Sequence, residues 1–108
     1  MPRWLPRVLA RLRAVAAEGR VVFTEKARLE LEELGVPRQD FVEILYSLGA
    51  GDGPQRLRSG PLEEWLYVFR PVVAGLRLYV KVAIRQDCVV ISCHEDQAEA
   101  HEEEDRDG

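Results

Sequence analysis

The feature that most restricts this chain is the alternation from Leu76 to Arg85. Leu76, Leu78, Val80, Val82 and Ile84 take turns there with Arg77, Tyr79, Lys81, Ala83 and Arg85. Successive side chains of a strand point to opposite faces, so a period of two predicts a half-buried strand. One face goes to a core, and the other offers cations and a phenol. Cys88 to His94 extends the pattern, with Val89, Ile91 and Cys93 on one parity and Val90, Ser92 and His94 on the other. Gln86-Asp87 between them predicts a tight antiparallel hairpin. Trp65 to Arg70 is apolar on both parities, which suits a central or doubly covered strand.

The residues before these strands follow a different period. Leu5, Val8, Leu9, Leu12, Val15 and Ala16 fall on one side at about 100° per residue, with Arg3, Arg7 and Arg11 on the other. This predicts an amphipathic helix closed at Gly19. Its arginines serve either as a solvated face or as a basic surface for phosphate or an acidic membrane, and the periodicity does not decide between the two. Arg20 to Phe23 suits a short edge strand. Thr24 caps a second helix carrying Ala27, Leu31 and Leu34, which Gly35 ends. A third helix starts around Pro37, a residue suited to a first helical position, and buries Phe41, Ile44, Leu45 and Leu48 before Gly49. Residues 50–62, AGDGPQRLRSGPL, are rich in Gly and Pro and predict a loop long enough to be functional, with Arg56, Arg58 and Ser59 at its centre. The expected class is α+β, N-terminal helices packed on a twisted antiparallel sheet of three or more strands. One domain is expected over residues 1–96, followed by a disordered acidic tail over 97–108.

Charge is distributed unevenly, and this bears on partners. The net charge of -4 conceals a C-terminal stretch, residues 95–108, with eight acids and one Arg, so the preceding residues carry an excess of base. An acidic average therefore does not exclude a nucleic-acid partner. Cys88 and Cys93 lie five positions apart on one strand. Regular alternation sends them to opposite faces about 16 Å apart, too far to pair, and two free thiols suit a reducing cytoplasm. No apolar run is long enough for a signal-peptide core or a membrane span, so the expectation is a cytoplasmic protein with no membrane partner.

Several chemistries have no sequence support. The chain lacks a Gly-rich phosphate loop, a Ser/His/Asp set and a convincing metal-ligand spacing; His94 and His101, among carboxylates, belong with an acidic solvated surface. No cofactor or metal is called for. What remains is cationic: Arg77, Tyr79, Lys81 and Arg85 on one strand, Ser92 and His94 on the next, Arg70 at a strand end, and Arg56 and Arg58 in the loop. Same-face neighbours on a strand are roughly 6 to 7 Å apart, so several of these groups can converge on one phosphodiester. That suits metal-free RNA cleavage, in which a base takes the 2′-hydroxyl proton, cations hold the phosphoryl charge and an acid protonates the leaving oxygen. His94 suits acid or base work, and Tyr79 and Lys81 serve if neighbouring cations lower their pKa values. Such an outward face also occurs simply to solubilise a sheet or block edge pairing.

At these residues the chain resembles the MqsR family of toxin–antitoxin RNases. Trp65-Leu66-Tyr67-Val68-Phe69-Arg70-Pro71 is similar to that family's W-Q-D-V-Y-R-P segment. Leu78-Tyr79-Val80-Lys81-Val82 followed by Ile91-Ser92-Cys93-His94-Glu95 is similar to its V-Y-L-K-L strand and S-F-K-E segment. Thr24 to Leu45 also resembles the opening of broader RelE-like families, with Lys26 where they carry His. The resemblance implies a RelE-like fold and an mRNA endonuclease (mRNA interferase) neutralised by a cognate antitoxin protein, with RNA as substrate; a homodimer is compatible with it. It implies catalytic roles for Tyr79, His94, Lys81 and Arg58, the last replacing a loop Lys, and RNA-binding roles for Arg56, Arg70, Arg77 and Arg85. The family's Gln is Leu66 here, which removes a hydrogen-bonding group, and its strand Lys is His94. Two readings follow: a toxin-like, metal-independent endoribonuclease with redistributed chemistry, or a catalytically inactive RelE-like module that binds a protein or nucleic acid through the same basic face.

Overall fold

A computed structural model of the chain describes residues 1–61 and 63–96. It is an α+β arrangement. Helix α1 spans Leu5–Ala17, strand β1 Val21–Phe23, helix α2 Glu25–Leu34 and helix α3 Arg38–Ser47. Strands β2 (Gln55–Ser59), β3 (Glu64–Phe69), β4 (Val72–Val73), β5 (Leu76–Ile84) and β6 (Cys88–Glu95) follow. The sheet order is β1-β6-β5-β3-β2, with β4 paired to the start of β5. All pairings are antiparallel except β1 with β6, which is parallel. The tail expected at 97–108 lies outside the described residues.

The helices form where the periodicity placed them. Leu5, Val8, Leu9, Leu12, Val15 and Ala16 are the buried side of α1. Thr24 caps α2 by accepting a hydrogen bond from the Ala27 amide at 3.1 Å. Its hydroxyl also donates to the Ile91 carbonyl of β6 at 3.3 Å, so one side chain starts the helix and ties it to the sheet. Gly35 ends α2 at φ 71°, the left-handed conformation that costs glycine least. Pro37 occupies the cap position before α3 with ψ 150°, one residue short of the helical position expected for it. The three helices cover one face of the sheet, where Phe41, Leu45, Leu48, Phe69, Val80 and Val82 are all at most 1 % exposed.

Two expectations are corrected. Residues 50–62 are not simply a loop. After a 3-10 turn at Ala50–Asp52, Gln55–Ser59 forms β2 and pairs along its length with β3, from Gln55 with Val68 to Ser59 with Glu64. Leu57 is its one apolar residue, so the ladder to β3 rather than a hydrophobic pattern holds this strand. The alternation of β6 is also broken. Lys81 pairs with Ser92 and Val82 with Val90, which leaves Ile91 as a β-bulge. The bulge shifts parity by one, so Cys88, Val90 and Cys93 all face the helices and join the core. The thiols therefore share a face instead of opposing one another, and both are free.

Helix α2 also closes the exposed edge of β6 beyond the short β1. The Glu30 carboxylate accepts from the Cys93 amide at 3.1 Å, and the Cys93 thiol donates to the Ala27 carbonyl at 3.2 Å. These contacts satisfy groups that an open edge would leave for pairing with another chain. Among the described residues no helix is long and apolar enough to cross a membrane.

Burial pushes the Cys88 thiol from its ordinary 9.0 up to about 12. It does the same to Cys93, aided by the nearby Glu30 carboxylate. The unfolded chain thus releases these protons first as pH rises, so stability is unaffected by them below about pH 9 and falls between about pH 9 and 12. Urea midpoints measured across that window should decline, and less steeply for a Cys88→Ala/Cys93→Ala variant. Neither thiol should react with an aromatic disulfide reagent at pH 8 until urea unfolds the protein.

Candidate functional site

The sheet face turned away from the helices carries two rows of side chains running across the strands. Tyr79 on β5 pairs with His94 on β6, and their rings stack with centroids 5.0 Å apart at 12°. Arg70 follows directly on β3, whose Phe69 pairs with Val80, and its guanidinium carbon lies 5.2 Å from the Tyr79 ring centroid. The first row therefore runs Arg70, Tyr79, His94, a cation and two rings within contact of one another. Val68, Lys81 and Ser92 form the second row through consecutive pairings. Same-face rows on a strand lie roughly 6 to 7 Å apart, which brings the Lys81 ammonium within reach of anything seated on Tyr79.

Arg70 and Ser92 are held from distant parts of the chain, and His94 by its own neighbour. Arg70 donates to the Gln55 side-chain oxygen at 3.2 Å and faces the Asp96 carboxylate at 3.5 Å. That carboxylate is only 5 % exposed, so the cation sits beside a nearly desolvated charge. The Asp96 amide in turn donates to the Arg77 carbonyl at 2.8 Å, which binds the end of β6 to the start of β5. His94 Nδ1 is 2.8 Å from the Glu95 carbonyl oxygen. A carbonyl oxygen only accepts, so Nδ1 is the donor in this contact and Nε2 is not engaged by it. In the second row Ser92 is buried and accepts from the Lys26 ammonium at 3.0 Å, and Lys26 also contacts Glu30 at 3.1 Å.

The structure brings together Arg70, Tyr79, Lys81, Ser92 and His94, and it extends the row along β5 to Arg77, opposite Val72 of β4. Arg85 shares the face but lies at the far end of β5, where Glu64 engages it at 2.6 and 3.2 Å. The Glu64 carboxyl is held below its ordinary range by that hydrogen bond, so the Arg85 charge is already answered. Arg56 and Arg58 are elsewhere. They oppose Tyr67 and Trp65 across the β2–β3 ladder and project from the helix-covered side of the sheet. Arg56 lies 3.8 Å from the Trp65 ring centroid and Arg58 5.0 Å. Leu66 is half-buried on the open face opposite Leu57, in the next row along β3 from fully buried Val68, so an apolar floor adjoins the second row on the side away from Tyr79.

Lys26, Gln55, Glu30 and Asp96 were not singled out as site residues from the sequence. Lys26 had one signal, its place two residues after Thr24. The others lie 15 to 63 positions from the groups they hold, and no local pattern encodes such pairings. Among the described residues no group of three His, Cys, Asp or Glu side chains is placed to hold a metal ion.

Comparison with known families converges on the same stretch. Residues 7–95 match the family model described as motility quorum-sensing regulator, toxin of MqsA. No curated protein matches the chain.

Arg70 links the two sides of this site, and its removal takes a cation from the Tyr79 ring and a partner from the buried Asp96 carboxylate. Arg70→Ala should lower unfolding free energy by about 1–2 kcal/mol in urea titrations. Arg70→Lys should recover less than half of that loss, because an ammonium cannot stack on the ring while bonding Gln55 and Asp96 in one plane.

Proposed function

We propose, on the premise that the chain belongs to the MqsR family of toxins, that it is a metal-independent endoribonuclease of the mRNA-interferase kind. Family membership makes it the toxin of a toxin–antitoxin pair, with an antitoxin of the MqsA kind as partner. Its substrate in this reading is single-stranded RNA in the cytoplasm. The observation that carries the proposal is the row of Arg70, Tyr79 and His94 with Lys81 beside it. An imidazole with a free nitrogen, a phenol and cations of two kinds meet there on an open surface.

The step needs only these groups. His94 Nε2 takes the proton from a ribose 2′-hydroxyl, and the oxygen forms a bond to the adjacent phosphorus. The phosphorus–O5′ bond breaks, leaving a 2′,3′-cyclic phosphate on one fragment. Tyr79 delivers its hydroxyl proton to the departing O5′, and proton exchange with water resets both groups. Lys81, Arg70 and Arg77 hold the negative charge that builds on the phosphoryl oxygens, a contribution that fixed cations make without reorganising. Arg56 and Arg58 take no part in this step, since they project from the other side of the sheet.

A second reading is favoured by Leu66. An apolar, half-buried side chain occupies the position where the family pattern has a hydrogen-bonding Gln, and Val68 beside it is fully buried. A surface of this kind suits a module that binds without cleaving.

Incubating the purified protein with RNA in EDTA separates the two. The enzyme reading expects fragments with cyclic phosphate ends, formed about 100-fold or more slowly by His94→Ala and by Lys81→Ala. RNA that stays intact yet is retained in a salt-sensitive manner would transfer the assignment to binding alone.

A further inference from the structure

On the side of the sheet away from Tyr79 and His94 lies an open cleft of about 560 Å³ that the proposed reaction does not use. Arg3, Trp4, Arg7, Arg11, Arg56 and Tyr67 line it, and no carboxylate of the described residues does. Arg7 and Arg11 stand one turn apart on one side of α1, about 6 Å along the helix axis, and Arg3 joins them from the turn that precedes the helix. Arg11 donates to the Arg85 carbonyl at 2.9 Å. None of Arg3, Arg7, Arg56 and Arg58 reaches a carboxylate among the described residues. Like charges gathered in this way repel one another, and a polyanion seated in the cleft relieves the repulsion.

The rings interleaved with these cations narrow the class of polyanion. Arg56 is 3.8 Å from the Trp65 centroid and 5.5 Å from that of Trp4, and Arg58 is 5.0 Å from Trp65. Trp4 contacts Tyr67 with centroids 5.4 Å apart. Guanidinium planes stacked on aromatic rings offer flat faces for bases and keep their N–H edges for phosphates. An acidic peptide uses only the edges.

Strand β2 connects this cleft to the opposite face. It is the last strand of the sheet order, so one of its edges is open. Its neighbours Gln55 and Arg56 point to opposite faces: Gln55 bonds Arg70 beside Tyr79, and Arg56 stacks on Trp65. We infer that single-stranded RNA bound at Tyr79 and His94 rounds the β2 edge and continues into the cleft, with Arg56, Arg58, Arg3 and Arg7 on its phosphates and Trp65 and Trp4 backing its bases. This inference rests on the RNA reading of the open sheet face, whose substrate it extends in length.

The test uses fluorescence anisotropy with 2′-methoxy RNA, which lacks the attacking hydroxyl and is bound without being cut. Arg3→Glu/Arg7→Glu changes only exposed side chains, and an unchanged thermal melt establishes its folding. Relative to wild type, the variant should lose affinity about tenfold or more for an RNA of about sixteen nucleotides and less than about twofold for one of about four, too short to round the edge. The slope of log affinity against log salt for the longer RNA should fall by about 1.4, the value for two phosphate contacts to a single strand. Equal affinity of variant and wild type for the longer RNA overturns the inference, whether or not the EDTA assay shows cleavage. A poly-glutamate peptide that binds wild type but not the variant, with RNA affinity unchanged, overturns it in favour of an acidic protein partner. Length-dependent loss in a protein that cleaves nothing leaves the cleft standing and removes only the enzyme reading.

Discussion

The arrangement of both faces depends on the register of β6 against β5, and that register turns on the bulge at Ile91. Val90 faces the helices. Uninterrupted alternation from there would send Ser92 and His94 inward and Cys93 outward. One extra residue reverses the order, so Cys93 enters the core and His94 comes to lie on Tyr79. Bulges bend strands and re-aim side chains at a local cost in pairing. Here the cost is met by α2, whose Thr24 hydroxyl bonds the Ile91 carbonyl and whose Glu30 bonds the Cys93 amide on either side of the irregularity.

This dependence explains which parts of the fold were legible in the sequence. The buried side of α1, the Thr24 cap, the Gly35 stop and the alternation of β5 are local patterns, each determined within a few residues by sterics or by facing a core. Strand β2 was hidden because its order comes from β3 through the backbone, and Gly and Pro flank it. The bulge was hidden because valine, isoleucine and serine suit either side of a half-buried strand. Both Cys88 and Cys93 being buried is a consequence of that one inserted residue.

The candidate site was legible as a set of residue types and not as a set of neighbours. Tyr79, Lys81, Ser92 and His94 sit on paired strands of one hairpin, so the sequence distance between them is short. Arg70 came within reach because β3 pairs with β5, a contact that alternation alone does not encode. A loop over residues 50–62 would leave Arg56 and Arg58 free to join these residues. As a strand it has faces, and the parity that pairs them with Tyr67 and Trp65 carries them to the helix-covered side.

Charge pairing then separates structural cations from those free to meet an anion. Arg20 bridges Glu18 and Asp87, Arg28 bridges Glu25 and Glu32, and Arg85 is engaged by Glu64. These exposed pairs stabilise the fold only modestly, and their positive charge is largely cancelled at a distance. Lys81 and Arg77 on one face, and Arg3, Arg7, Arg56 and Arg58 on the other, form no ion pair among the described residues. Arg70 is intermediate, since Asp96 holds its position while its guanidinium plane stays over Tyr79. Among the described residues, cations without an ion pair thus stand beside Tyr79 and His94 on one face and along the cleft on the other, while Arg13 and Arg38 are engaged by backbone carbonyls. A net acidic average is thus compatible with basic surface on both faces, because eight of the acids lie in residues 95–108 and those at Glu18, Glu25, Glu32, Glu64 and Asp87 answer cations away from these groups.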